Sequence, residues 1–259
     1  MTITILTLFP EMFQGFLENS IVKRAIAKGV VSFKLVNIRD YTKDKYNRVD
    51  TPPIGGGAGL IMKCQPLVDA LLDHKKENSH VILMSPRGKT FKQATAHTYA
   101  HLEDLIIVCG HYEGIDERFH DYADELVSIG DYILTGGEIP AMAISDAVVR
   151  LLDGAIASES ISEETFENGL LEYPQYTEPY DFKGHKVPDI LYSGNHKAIA
   201  QWRQKESLRL TRTFRPDLFS AHPLTKADKK LLQEIDEGTT GKWESDALAK
   251  GHKFIKSEE

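Results

Sequence analysis

Through the first 155 residues, short β-rich apolar runs alternate with helical patterns, and this alternation narrows the fold more than any other feature. TITILTLF (2–9) precedes the helix-like EMFQGFLENSIVKRAIAK, and VVSFKLVNI (30–38) reads as a second strand. QPLVDALLDHKK is a short amphipathic helix with Pro near its first turn. HVILMS (80–85) is followed by the helical FKQATAHTYAHL, and DLIIVCG (104–110) by the polar HYEGIDERF. ELVSI (125–129) leads into SIGDYILTGGEIPAM (128–142), and IPAMAISDAVVRLL (139–152) reads as a long apolar helix. Such an order predicts an α/β fold with a mostly parallel sheet covered on both faces.

The character changes at about 154–170, where SESISEETFENG is acidic, Ser-rich and without periodicity. The expected organisation is a first domain over 1–157, a linker over 158–170, a small helical domain over 171–245 and a polar tail over 246–259. In the C-terminal domain, EYPQYTEPYDFKGHKVPD is Pro- and Tyr-rich, NHKAIAQWRQKESLRLTRTF is helical, and TKADKKLLQEIDE is the last helix. From about 240 the chain reads as frayed.

Composition excludes several classes. No run of eighteen apolar residues exists, so no membrane span is expected. The start, MTITILTLFPEMF, has no basic residue before Lys23 and no small-residue cleavage site, and reads as a strand, not a secretory signal. Two cysteines, Cys64 and Cys109, cannot build a disulfide framework, which suggests a reducing cytoplasm. A net charge of −7 argues against indiscriminate nucleic-acid binding but permits local basic patches. No His/Cys cluster has metal-ligand spacing.

Three Gly-rich stretches invite phosphate readings. IGGGAGL (54–60) follows Pro52-Pro53, not a strand, and lacks dinucleotide spacing. SPRGKT (85–90) imitates a P-loop, but Leu83 stands where its first glycine belongs. The third, around Gly136-Gly137, is flanked by Asp131 and Glu138, which would repel phosphate and suit a neutral or cationic ligand such as a nucleoside. Two tight turns of an α/β fold are the plainer reading of that segment.

Together the motifs are less generic. LFPEMF (8–13), GGGAGL (55–60), SPRG (85–88), CGHYEGIDER (109–118), SIGDYILTGGEIPAM (128–142), GLLEYPQYT (169–177) and SGNHKAIAQWR (193–203) occur in one order. This set resembles the bacterial tRNA (guanine-N1)-methyltransferase family over nearly the whole chain. The resemblance implies a trefoil-knotted fold of the SPOUT methyltransferase class. It also implies a cytoplasmic homodimer with its active site at the subunit interface, and S-adenosylmethionine as methyl donor, with room for an assisting Mg²⁺. The target would be guanine 37 in the anticodon stem-loop of tRNA. The cofactor would lie among Leu83, Met84, Ser85 and Pro86, then Gly110, Tyr112 and Glu113, then Ile129, Gly130, Asp131, Tyr132, Ile133, Leu134, Gly136, Gly137 and Pro140. Ile129, Tyr132, Ile133 and Leu134 would wall the adenine, and the glycines would let backbone approach it.

Guanine N1 carries a proton, so methylation there needs a base and a group that stabilises charge moving onto O6. Arg150 matches the family's functional arginine, while on the residues alone it is equally a cation facing a helix end. The family's general base is the aspartate of D-S-F; here the text is E-T-F, which puts Glu164 in that place, with Glu163 adjacent. The extra methylene matters, because an ångström of misplacement can cost roughly a hundredfold in rate. Two further departures are His111 and Glu178, where arginine is common. For the RNA, QWRQKESLRLTRTFRP offers Lys205, Arg209 and Arg212 on one helical face with Arg203 nearby, and the resemblance adds Asn195 and His196. A solvated helix face is the alternative reading of that strip.

Overall fold

The computed structural model describes residues 1–156, 165–166 and 168–251, and the chain divides into two units, Met1–Ser158 and Glu159–Glu259. In the first unit, β1 (Thr2–Thr7), β2 (Ser32–Asn37), β5 (Ser79–Thr90), β6 (Asp104–Val108) and β7 (Glu125–Ser128) form one sheet. Its order is β2-β1-β6-β5-β7, and every neighbouring pair is parallel. A separate antiparallel pair joins β3 (Asp50–Thr51) to β4 (Ile61–Met62).

Alternation along the strands builds two cores. Ile3, Ile5, Ile82, Leu105 and Ile107 face one side, where Ala25 of α2 (Ser20–Ala27), Tyr99 of α4 (Gln93–Ala100) and Ile144 and Val148 of α5 (Glu138–Arg150) pack. Leu6, Val81, Leu83, Ile106 and Val108 face the other, against Leu67 and Leu71 of α3 (Cys64–His74) and Phe119. Both faces are therefore covered, as strand–helix alternation predicts. Each buried aliphatic side chain contributes about 1.5–3 kcal/mol.

Two local readings need correction. The helical pattern of 11–28 is split into a 3-10 turn at Pro10–Phe13, α1 (Gln14–Leu17) and α2, because Ser20 takes a left-handed φ of 53°. Asn19 Nδ2 donates to the Gly15 carbonyl at 2.8 Å, replacing a helical N–H that the break removes. SPRGKT is no phosphate loop: β5 pairs with β7 up to Met84, bulges out over 85–88, and pairs again from Lys89. Gly88 is required there, since a Cβ would stand 2.3 Å from Val127 N and 2.4 Å from Leu126 C.

The second unit holds α6 (His196–Phe214), α7 (Pro216–Ala221), α8 (Lys226–Glu237) and α9 (Lys242–Gly251). It also contains the hairpin β8 (Asp181–Phe182) and β9 (His185–Lys186), which its Pro- and Tyr-rich text does not announce. The turn is made by Lys183 (φ 55°) and Gly184 (φ 87°), the double positive φ a two-residue hairpin favours, with lysine in place of the usual Asn or Asp. The tail expected to fray from about 240 is instead helical over Lys242–Gly251. Ala247 is buried with Ile190, Ala198 and Trp202, and Trp243 and Leu248 pack on the same cluster. Residues 252–259 lie outside the described residues.

Lys205 ties α6, α8 and α9 together. Its Nζ lies 3.3 Å from Glu234 and 3.4 Å from Glu244, with side chains only 12%, 9% and 19% exposed, and 5.8 Å from the Trp243 ring. Removing the cation strands two shielded carboxylates, so Lys205→Ala is expected to destabilise this unit by about 2–4 kcal/mol. Thermal unfolding checks this: an unchanged transition would show the triad to be inert.

Candidate functional site

The bulge within β5 and the segments that leave the carboxyl ends of its neighbours β6 and β7 meet around one cavity of about 560 Å³. That is the edge where open parallel sheets place ligands. The first segment contributes Leu83, Met84, Ser85, Pro86 and Arg87, the second Gly110 to Ile115 with Glu117 and His120. The third contributes Val127 to Gly130, Tyr132 to Gly137, and Pro140.

The double glycine serves loop-to-loop contact. Gly137 N–H donates to the Gly110 carbonyl at 2.8 Å, and His111 and Gly136 form an isolated antiparallel bridge. A Cβ on Gly137 would stand 2.7 Å from Cys109 Cα and 3.0 Å from Gly110 N. At Gly136 it would meet Glu138 and the His111 ring. These glycines thus bring the second and third segments together, which shapes the cavity, and are not simply kinks that bare backbone to a ligand.

Every cofactor residue expected from the sequence lines this cavity except Asp131, which is exposed between the lining residues Gly130 and Tyr132. Glu138 does not line it either. It is 2% exposed and accepts from Thr7 Oγ1 at 2.8 Å, in the first turn of α5, where the helix N-terminus complements an acid. The acids that do face the cavity are Glu113 and Glu117. Burial, then the Glu138 carboxylate, pushes the Cys109 thiol well up, so this cysteine is an inert core residue.

Glu113 has a dedicated brace. Its N–H donates to the Leu60 carbonyl at 3.0 Å, and a Cβ on Gly59 would overlap its side chain at 2.3 Å. IGGGAGL therefore lies against a cavity acid, with Gly59 at a φ of 77°. His111 sits between Phe9, tilted at 5.0 Å between centroids, and Tyr112, edge-on at 5.2 Å. Tyr112 itself holds a left-handed φ of 59°, and its hydroxyl lies 3.4 Å from Arg39 Nη2.

Sequence reasoning missed Arg87, Ile115, Glu117 and His120 as lining residues. Arg87 and Gly88 stand in the motif SPRG, and Ile115 and Glu117 in CGHYEGIDER, but none is among the residues expected at the site, and His120 lies in a stretch readable only as polar. Arg150 is not at the cavity: it sits in the last turn of α5, about 18 Å along the helix from Glu138 at about 1.5 Å per residue. Glu164 and Glu163 lie outside the described residues.

The expected RNA residues divide. Asn195 caps α6, accepting from Ala198 N–H at 3.2 Å, and both it and His196 are exposed. Lys205 is turned inward onto Glu234 and Glu244, unlike the rest of the strip. Arg209 pairs with Glu206 at 2.6 Å and Arg212 with Asp236 at 2.8 Å, each still partly exposed. Arg203 lies 4.6 Å over the Tyr173 ring.

A family model described as tRNA (Guanine-1)-methyltransferase TrmD matches residues 1–221. A protein of Clostridium botulinum (strain Langeland) named tRNA (guanine-N(1)-)-methyltransferase is 51% identical over 239 residues, covering 92% of this chain and 99% of its own. A protein of the same name from Dictyoglomus turgidum is 53% identical, covering 90% of this chain and 96% of its own. Another, from Bacillus cereus (strain AH820), is 52% identical, covering 92% and 100%. With a model match over most of its length and relatives this similar, the chain belongs to the tRNA (guanine-1)-methyltransferase family.

Proposed function

We propose that this chain transfers a methyl group from S-adenosylmethionine to N1 of guanine 37 in tRNA, in the cytoplasm and as a homodimer. One observation carries the reading: the β5 bulge and the segments after β6 and β7 close on one cavity in a chain whose relatives are named for guanine-N1 methylation. The cavity fits the donor in size and in chemistry. Ile129, Tyr132, Ile133 and Leu134 offer an apolar slot for a base, and Ser85, Arg87, Glu113 and Glu117 a polar one for an amino-acid end. When bound, S-adenosylmethionine would supply an electrophilic methyl group on a sulfonium centre.

The chain's own residues do the rest. Glu164 removes the N1 proton, a transfer that is uphill for an ordinary carboxylate unless the charge arriving on O6 is stabilised at once. Arg150 gives that stabilisation through a permanently charged planar fork. Arg150 stands about 18 Å along α5 from Glu138, which supports the reading that a second copy brings its Arg150 to the site. The same reading gives the first unit a trefoil-knotted path, with which the contact of Gly136 and Gly137 with His111 and Gly110 is compatible. Asn195, His196, Arg203, Arg209 and Arg212 remain the groups proposed to meet the anticodon stem.

The test is methyl incorporation from labelled S-adenosylmethionine into unmodified tRNA carrying G37, against the same tRNA with A37. One methyl per G37 tRNA, located at N1, is the expected result. RNA binding without turnover would replace the enzyme with a binding module.

A further inference from the structure

Among the described residues lining the cavity, Arg87 is the only arginine or lysine. Its guanidinium donates to Glu117 through Nη1 to Oε1 (3.3 Å) and Nη2 to Oε2 (2.9 Å), and through Nη2 to His120 Nε2 (2.7 Å). His120 Nδ1 lies 2.9 Å from the Glu117 carbonyl oxygen. A carbonyl can only accept, so Nδ1 carries the proton there and Nε2 is left to accept from Arg87.

The backbone beneath is equally fixed. Arg87 N–H donates to Ser85 Oγ at 3.3 Å, and the next residue, Gly88, is wedged against β7. Two side chains therefore aim the guanidinium while its own side chain stays 58% exposed and open to a ligand. Hydrogen bonds from the Arg87 guanidinium hold the Glu117 carboxyl below its usual range.

We propose that Arg87, steered by Glu117 and His120, receives the α-carboxylate of the methyl donor and so decides which end of the nucleoside faces the charged wall. This rests on the donor assignment above. A ligand with an aromatic base at one end and a zwitterion at the other needs one apolar and one charged slot. The segments 129–134 and 85–87 with 113–120 supply them. With its Nη1/Nη2 fork on Glu117 and the second Nη2–H on His120, the guanidinium keeps Nε–H and the second Nη1–H as charge-assisted donors for a carboxylate, and among the described residues no other permanent cation lines the cavity. Glu113 and Glu117 on the same wall suit the neighbouring ammonium.

Calorimetry with two probes tests this: S-adenosylhomocysteine, which keeps the amino-acid end, and 5′-methylthioadenosine, which lacks it. Arg87→Ala is expected to weaken S-adenosylhomocysteine roughly 10- to 100-fold and to leave methylthioadenosine within about twofold. Arg87→Lys, which keeps the charge and loses the fork, falls between wild type and alanine. Equal losses on both probes would mean that the bulge at 85–88 has collapsed, and would overturn the proposal. So would unchanged affinity for both with weaker tRNA binding, which makes Arg87 an RNA contact. Wild type that binds neither probe ends the donor assignment itself, and this proposal with it.

Discussion

Gly137→Ala is expected to cost the first unit about 2–4 kcal/mol and to lower its melting temperature by roughly 5–15 °C. Affinity for S-adenosylmethionine should fall with it, by more than about tenfold. The cause is steric and local. Gly137 has an ordinary φ of −83°, so alanine suffers no conformational penalty there. Its methyl, however, would stand 2.7 Å from Cys109 Cα, a backbone atom pinned by the Cys109 N–H bond to the Leu6 carbonyl at 2.9 Å. Only movement of the second segment away from the third relieves the clash, and that movement opens the cavity. Gly110→Ala is the control on the other side of the same contact. Its Cβ meets nothing closer than Ile115 Cδ1 at 3.4 Å, so its melting temperature should hold. If both variants melt like wild type, the close approach of the segments does not shape the site.

What the sequence reveals and what it hides follow from the range of the interactions. Period-two alternation in HVILMS and DLIIVCG is a local signal, and the strands lie where it puts them, with Val81 and Leu83 on one face and Ile82 on the other. The cavity segments were legible as motifs, because close approach of backbone to backbone leaves glycine as the only usable residue. Which chain segment does the approaching was not legible. Gly137 was readable as a ligand-facing kink, whereas its neighbour is Cys109, 28 positions away in sequence. Acids show the same limit. Asp131 and Glu138 look equivalent as text, yet one is exposed and the other is buried on Thr7, 131 residues away. Lys205 reads as one of a basic strip because its partners, Glu234 and Glu244, lie beyond the helix that carries it. The helix α9 was legible and overlooked: Trp243, Ala247 and Leu248 recur on one face within a polar stretch.

Arg150→Ala and Glu164→Gln are each expected to lower methyl transfer by about 10²–10⁴-fold while leaving S-adenosylmethionine affinity within about twofold of wild type. The first removes the charge that stabilises O6, the second the group that takes the N1 proton. The distance along α5 adds a sharper consequence. If one copy's Arg150 serves the other copy's cavity, two differently crippled chains can rescue each other. A chain with Leu134→Glu, which puts a carboxylate on the apolar wall, keeps a good Arg150; a chain with Arg150→Ala keeps a good cavity. Co-expressed and mixed, they form hybrids with one intact site out of two, and about a quarter of wild-type activity should return if pairing is random. Each parent alone should stay near background. An arginine acting within its own chain gives no rescue at any mixing ratio, because every site then carries one defect. Rescue of Glu164→Gln by Leu134→Glu, tested in the same way, reports whether the base also crosses between subunits. Absence of rescue for Arg150 would place its action within its own chain, whereas undiminished methyl transfer in Arg150→Ala would return that residue to a helix-end cation and leave the O6 charge to another group.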